Sequence, residues 1–366
     1  RSFGESSQMV AELGLAQVKA MQNHNIIGTL KHFPGHGDTN VDSHTGLPRV
    51  NHSMQQIVSV DLAPFQYAID NADVAMIMTA HIQYPELDSS TFVSKDGETM
   101  MKPATMSRSI LTDLLRNDMN YKGLVITDAL DMKGISEFFN ETQAVIETFK
   151  AGADIALMPI KIRFPQDIAK LSNLIDELAQ VVVAGELSAD EMFTSYQRIL
   201  DVKQKFIKTP QGIATNQSLT EKVNLAESVL ANEQHRKIEQ ELSDQSITAI
   251  KGSGQLSASS ASVVAFMPDQ SKCDALLTGF KATATNKKVS CHSYYGTSLA
   301  KAKSLIEQND AVIVSNLTPR QSLAEMGGMD DLARLKKQLG SLLANKRRQD
   351  YVVKKLLAHG KQQQKE

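Results

Sequence analysis

Residues Lys31 to Pro48 read KHFPGHGDTNVDSHTGLP, a stretch that gathers three of the chain's nine histidines with two aspartates, three glycines and two prolines. Within it, Asp42 precedes His44 by two positions, so in a turning loop the carboxylate can accept the imidazole proton and raise the ring's basicity. An aspartate beside serine and histidine is common turn chemistry. The surrounding glycines and the adjacent strand end favour an acid/base role for His44. A second candidate is Asp128 in GLVITDAL, a carboxylate following the apolar run Leu124 to Thr127, whereas Asp131 reads as the N-cap of a helix over MKGISEFF. A carboxylate facing an acid/base across a sugar can carry out retaining glycoside hydrolysis. The carboxylate attacks the anomeric carbon and the other group protonates the leaving oxygen, with His44 in place of the usual second carboxyl.

These residues need a scaffold that brings separate segments to one rim. Apolar runs bounded by turn residues predict strands over GTLKHF (28–33), VAMIMTAHI (74–82), GLVITDAL (123–130) and DIALMP (154–159). Helical periodicity between them, with capping serines at Ser6 and Ser107, predicts βα units around a parallel sheet. Ligands meet such sheets at the carboxyl ends of the strands. The loop after the first run delivers His36, Asp38, Asp42 and His44, the second ends at His81 and the third at Asp128. Asp154 starts its run, away from that rim, and reads as structural.

Helical patterns follow over 188–208 and 219–242, and the βα rhythm resumes with SITAIKG (246–252), SVVAFMP (262–268), KKVSCHSY (287–294) and DAVIVSNLTP (310–319), separated by helices near Asp274 and Ser298. The expected domains are 1–210, a linker with a covering helix over 211–245, and 246–366. A Gly/Ser-rich patch at 253–262 reads as a loop, and the basic segment 336–365 reads as a helix with a solvated face.

At 366 residues the chain is long enough for two cores. With 42% hydrophobic and 22% charged residues it has an ordinary globular composition, and no apolar run approaches the ~20 residues that span a bilayer. A net charge of -2 gives no general attraction for nucleic acid. Cys273 and Cys291 allow one disulfide at most and read as small core residues.

The stretch KHFPGHGDTNVDSHTGLP, taken with GLVITDALDM and AGADIALMP, resembles glycoside hydrolase family 3 in its β-N-acetylglucosaminidase branch of two-domain type. The resemblance implies a partial TIM-like (β/α)8 barrel, its C-terminal half, followed by a partial αβα sandwich domain. It implies that Asp128 is the nucleophile, that His44 is the general acid and then base, oriented by Asp42, and that Arg1, Lys31 and His32 bind hydroxyls of a terminal N-acetylglucosamine. His81 either lines the pocket as a further substrate contact or is a satisfied strand-end histidine. No metal or other cofactor is implied. The expected substrates are small N-acetylglucosaminides such as muropeptides, and relatives of this type are often exported, which favours an extracellular or cell-envelope location. Only four of eight barrel strands can be counted after Arg1, and a further strand would be expected past the C-terminus, so the sequence reads as truncated at both ends.

Three other readings compete. His32, His36, Asp38, Asp42 and His44 could be drawn as a metal cluster, but Pro34 and Gly35 keep the first two rings from sharing a helix face, and His36 fits a loop-shaping hydrogen bond better. A β-glucosidase of the same family would generally lack the Asp-Ser-His dyad. A non-catalytic amino-sugar-binding fragment would tolerate Asp128→Asn.

Overall fold

The computed structural model describes residues 3–37, 39, 47–207, 217–246, 256, 260–283, 286–293 and 297–315, and the backbone of 351–353. The chain divides into two compact units, Arg1–Ile213 and Ala214–Glu366.

In the first unit, α1 (Ser7–Asn23) starts where the Ser6 hydroxyl accepts from the Met9 amide, and it buries Ala11, Leu15 and Val18 at helical spacing. Strand β1 (Thr29–Phe33) follows, then α2 (Ala63–Asn71) and β2 (Met76–Thr79). A hairpin of β3 (Thr91–Val93) and β4 (Thr99–Met101) leads into a wide, i→i+5-bonded helix over Ser109–Asp118 and then β5 (Leu124–Ile126). The three long-range strands pair in parallel in the order β1-β2-β5, with Leu30 opposite Ile77 and Ile77 opposite Val125. Phe33, Ile77, Ile82, Leu111, Leu115 and Val125, each fully buried, fill the space between sheet and helices. Burial of side chains this size contributes about 1.5–3 kcal/mol apiece. Helices α3 (Glu141–Ala151), α4 (Ile168–Val183) and α5 (Ala189–Phe206) complete the unit, with Asn140 and Ser188 as side-chain caps.

The run DIALMP does not form the fourth strand expected for it. It makes a single bridge, Ile126 to Ile155. Around it the Asp154 and Ile155 amides donate to the Val125 carbonyl and the Thr127 amide to the Ile155 carbonyl, while two more bonds go through side chains: Asp154 accepts from the Val125 amide and the Thr127 hydroxyl accepts from the Leu157 amide. On either side of the bridge a side chain takes the place of a main-chain acceptor, so the pairing does not extend into a ladder. The expected Asp131 cap is also absent. Met132 occupies the cap position of the short helix Lys133–Ser136, and the Asp131 carboxylate lies 3.6 Å from Lys161.

In the second unit, the expected single helix over 219–242 is two, α6 (Leu219–Val229) and α7 (Glu233–Ser246). Ala231 takes φ 49°, and the Asn232 side chain caps the second helix by accepting from His235 N. A parallel sheet of order β7-β6-β8-β9 is built from β6 (Ser262–Met267), β7 (Lys288–Ser293), β8 (Ala311–Val314) and β9 (Tyr351–Val353), with α8 (Gln270–Thr283) and α9 (Leu299–Gln308) between strands. β9 falls in the segment read as a basic helix; it pairs with β8 from Val312–Tyr351 to Val314–Val353. The run 247–252, most of 253–259, and 316–350 lie outside the described residues. Cys273 and Cys291 are joined by a disulfide. The βα crossover brings α8 beside β7, so two residues that read as separate core cysteines meet across 18 positions of chain.

Candidate active site

The parallel register of β1, β2 and β5 sends their carboxyl ends to one edge, and the polar residues gather there. Asp128 lies two residues beyond β5. One carboxylate oxygen accepts from the Ala129 amide at 2.8 Å, and the other lies 3.4 Å from His32 Nε2 on β1. Both side chains are partly open, at 20% exposure for His32 and 18% for Asp128. Burial holds the His32 imidazole down at about 4; Asp128 works against this, while Lys31 and His36 add to it. Near neutral pH the ring is therefore uncharged, and its approach to Asp128 is that of a polar neighbour rather than an ion pair.

The turn carrying Asp128 is pinned from the chain on either side. Thr127 N–H donates to the Ile155 carbonyl at 3.0 Å, Leu130 N–H donates to the Leu157 carbonyl at 2.9 Å, and Leu157 N–H donates to Thr127 Oγ1 at 2.9 Å. The segment 155–157 thus clasps the turn, which explains why AGADIALMP belongs with the site although it forms no strand. Beneath it sits Asp154, with no exposed side-chain surface. Its carboxylate accepts from Arg116 at 2.6 Å, Arg198 Nε at 2.9 Å, Ser195 at 2.7 Å and Val125 N at 2.7 Å. The structural role expected for Asp154 is the one observed. Two arginines from different helices compensate the charge, as a buried carboxylate requires.

The start of the histidine-rich loop is anchored as well. Gly35 sits at φ 153°, a region that disfavours any side chain, and a Cβ there would lie 2.9 Å from Asp61 Cβ. The Tyr84 hydroxyl donates to the Gly35 carbonyl at 2.7 Å, and Asp61 pairs with His52 at 2.8 Å. His36 stacks edge-on against His32, ring centres 5.7 Å apart, and its Nδ1 lies 3.1 Å from Thr39 Oγ1, the loop-shaping contact expected of it.

Lys31 is exposed on β1, next to His32. His81 is placed differently from a sugar contact. It is 1% exposed, its Nε2 lies 3.0 Å from the Ala129 carbonyl and its Nδ1 2.9 Å from Thr105 Oγ1. The geometry supports the satisfied strand-end alternative, because both ring nitrogens are engaged by the protein. Arg1, Asp42 and His44, and Asp38 with them, lie outside the described residues. Among the described residues there is no group of three or more histidine, cysteine or acidic side chains placed to hold a metal, and no helix is long and apolar enough to cross a membrane. Thr105, Thr127 and the 155–157 clasp were not visible as site components in the sequence. The signal for the clasp was AGADIALMP itself, one of the three motifs that carry the family resemblance.

Comparison with known proteins places this geometry in context. β-Hexosaminidase A of Pseudoalteromonas piscicida is 44% identical over 368 residues, spanning 100% of this chain and 59% of that protein. A β-hexosaminidase of Neisseria meningitidis serogroup C (strain 053442) is 32% identical over 180 residues, 49% of this chain and 44% of that protein. The chain therefore spans less than two thirds of the length of these relatives. Among solved structures, a glycoside hydrolase family 3 β-N-acetylglucosaminidase from Paenibacillus sp. str. FPU-7 superposes with a TM-score of 0.70 at 24% identity, over 96% of this chain and 62% of that one. That likeness carries the fold, mixed α/β with parallel sheets, the first unit of TIM-like barrel type. Residues 1–202 match the glycosyl hydrolase family 3 N terminal domain, and on that match the chain belongs to glycosyl hydrolase family 3.

Proposed function

We propose that the protein is a retaining exo-β-N-acetylglucosaminidase that removes terminal β-linked N-acetylglucosamine from small glycosides, peptidoglycan fragments such as muropeptides among them. Asp128 attacks the anomeric carbon and forms a covalent glycosyl-aspartate. His44, oriented by Asp42, protonates the departing oxygen and then deprotonates the water that releases the sugar. Arg1, Lys31 and His32 contact sugar hydroxyls.

The observation that carries this reading is the setting of Asp128: a carboxylate at the carboxyl edge of a parallel sheet, one oxygen fixed by a backbone amide, beside an uncharged His32. A neutral neighbour leaves the carboxylate's charge available for attack, whereas an imidazolium would bind it. The names of the β-hexosaminidase relatives support the sugar assignment, and the Asp-Ser-His sequence supports the acid/base.

The test is hydrolysis of p-nitrophenyl β-N-acetylglucosaminide and β-glucoside by the full-length protein. The expected result is cleavage of the first, abolished by Asp128→Asn with substrate binding retained, and slowed about 10²- to 10⁴-fold by His44→Ala. Selective cleavage of the glucoside refutes the sugar assignment, and unchanged turnover in Asp128→Asn refutes the mechanism.

A further inference from the structure

We propose that His81 is a positioning residue that acts through the backbone of the turn carrying Asp128, an inference that rests on Asp128 being the nucleophile. A carbonyl can only accept, so the 3.0 Å contact between His81 Nε2 and the Ala129 oxygen places the ring proton on Nε2. Ala129 is thus held at both of its polar groups: its N–H donates to the Asp128 carboxylate and its C=O accepts from His81. The ring itself is braced from behind. Its Nδ1 lies 2.9 Å from Thr105 Oγ1, which is 2.8 Å from Thr79 Oγ1 and 2.9 Å from the Ala80 carbonyl. Thr79, Thr105 and His81 are all at most 1% exposed. Burial also keeps the His81 ring below its ordinary basicity, so the donor stays single and directed.

The Ala129 carbonyl also accepts from Met132 N–H at 3.1 Å, so it is satisfied without His81. What His81 adds is a fixed link from the tip of β2 to the residue that orients the Asp128 carboxylate. Attack on an anomeric carbon is sensitive to sub-ångström placement, and misplacement by about 1 Å can cost on the order of 100-fold in rate.

The experiment compares wild type, His81→Leu, His81→Gln and Thr105→Val for kcat and KM on p-nitrophenyl β-N-acetylglucosaminide, and for the rate at which a 5-fluoro N-acetylglucosaminyl fluoride labels Asp128. His81→Leu should lose about 30- to 100-fold in kcat and in labelling rate with KM within about threefold. His81→Gln, whose amide nitrogen can reach the same carbonyl, should recover at least tenfold of that loss. Wild-type kcat in a folded His81→Leu overturns the proposal, as does equal loss in the leucine and glutamine variants, or a rise in KM at unchanged kcat, which marks a sugar contact. If His81→Leu does not fold, Thr105→Val decides: it should lower kcat at unchanged KM, and unaltered kcat overturns the proposal. A wild-type protein that neither turns over substrate nor takes label at Asp128 removes the underlying functional reading instead.

Discussion

Replacing Asp154 by asparagine tests whether one buried carboxylate supports both the fold and the site. The side chain is fully buried and accepts from Arg116, Arg198, Ser195 and the Val125 amide, all within 2.9 Å. Asparagine keeps the size but removes the charge and offers NH2 donors where acceptors are needed, leaving Arg116, 13% exposed, facing Arg198 without a counterion. Breaking a buried ion pair by removing one partner costs about 3–5 kcal/mol. For a unit of this length each kcal/mol lowers Tm by about 2–4 °C, so the expected loss is roughly 6–20 °C. Thermal and urea unfolding of the full-length protein, followed by circular dichroism, reads this directly. Because Asp154 also fixes the start of the 155–157 clasp, the variant should lose activity below its own Tm as well. A change under about 1 kcal/mol would mean that the arginines find solvent when released, and the account of Asp154 as an organising node would fail.

Two further outcomes follow from other parts of the structure. His32 should titrate near its depressed value of about 4. Since the unfolded ring binds its proton more tightly than the folded one, its contribution to stability should be intact above the unfolded value and fall away as pH drops from about 6.5 toward 4; ring ¹⁵N shifts followed across pH check this, and titration near 6.5 refutes it. The Cys273–Cys291 bridge should leave no thiol reactive in denaturant until reductant is added, and Cys273→Ser should destabilise the second unit by about 3 kcal/mol, read by denaturant unfolding.

Local chemistry made much of this architecture legible. Apolar runs between glycines and prolines marked β1, β2 and β5, a capping serine, Ser6, marked α1, and helical periodicity marked α5, because propensity and capping act within a few residues. Asp128 stood out for the same reason, as a carboxylate at the end of such a run, whereas the break at Asn232 did not, because the apolar pattern of 219–242 runs straight through it.

By itself the sequence determined strands β1, β2, β5, β6, β7 and β8 and helices α1 and α5, and it offered Asp128 as a candidate nucleophile and Asp-Ser-His as a candidate acid/base. Only the tertiary structure decided that DIALMP clasps the Asp128 turn instead of extending the sheet, that Asp131 pairs with Lys161 rather than capping, that the two cysteines meet, and that His81 faces inward to Ala129. The physical reason is common to all four. Each depends on partners 18 to 48 positions away or on a side chain taking a backbone group's place in a hydrogen bond, and no periodicity encodes which distant partner will come within reach.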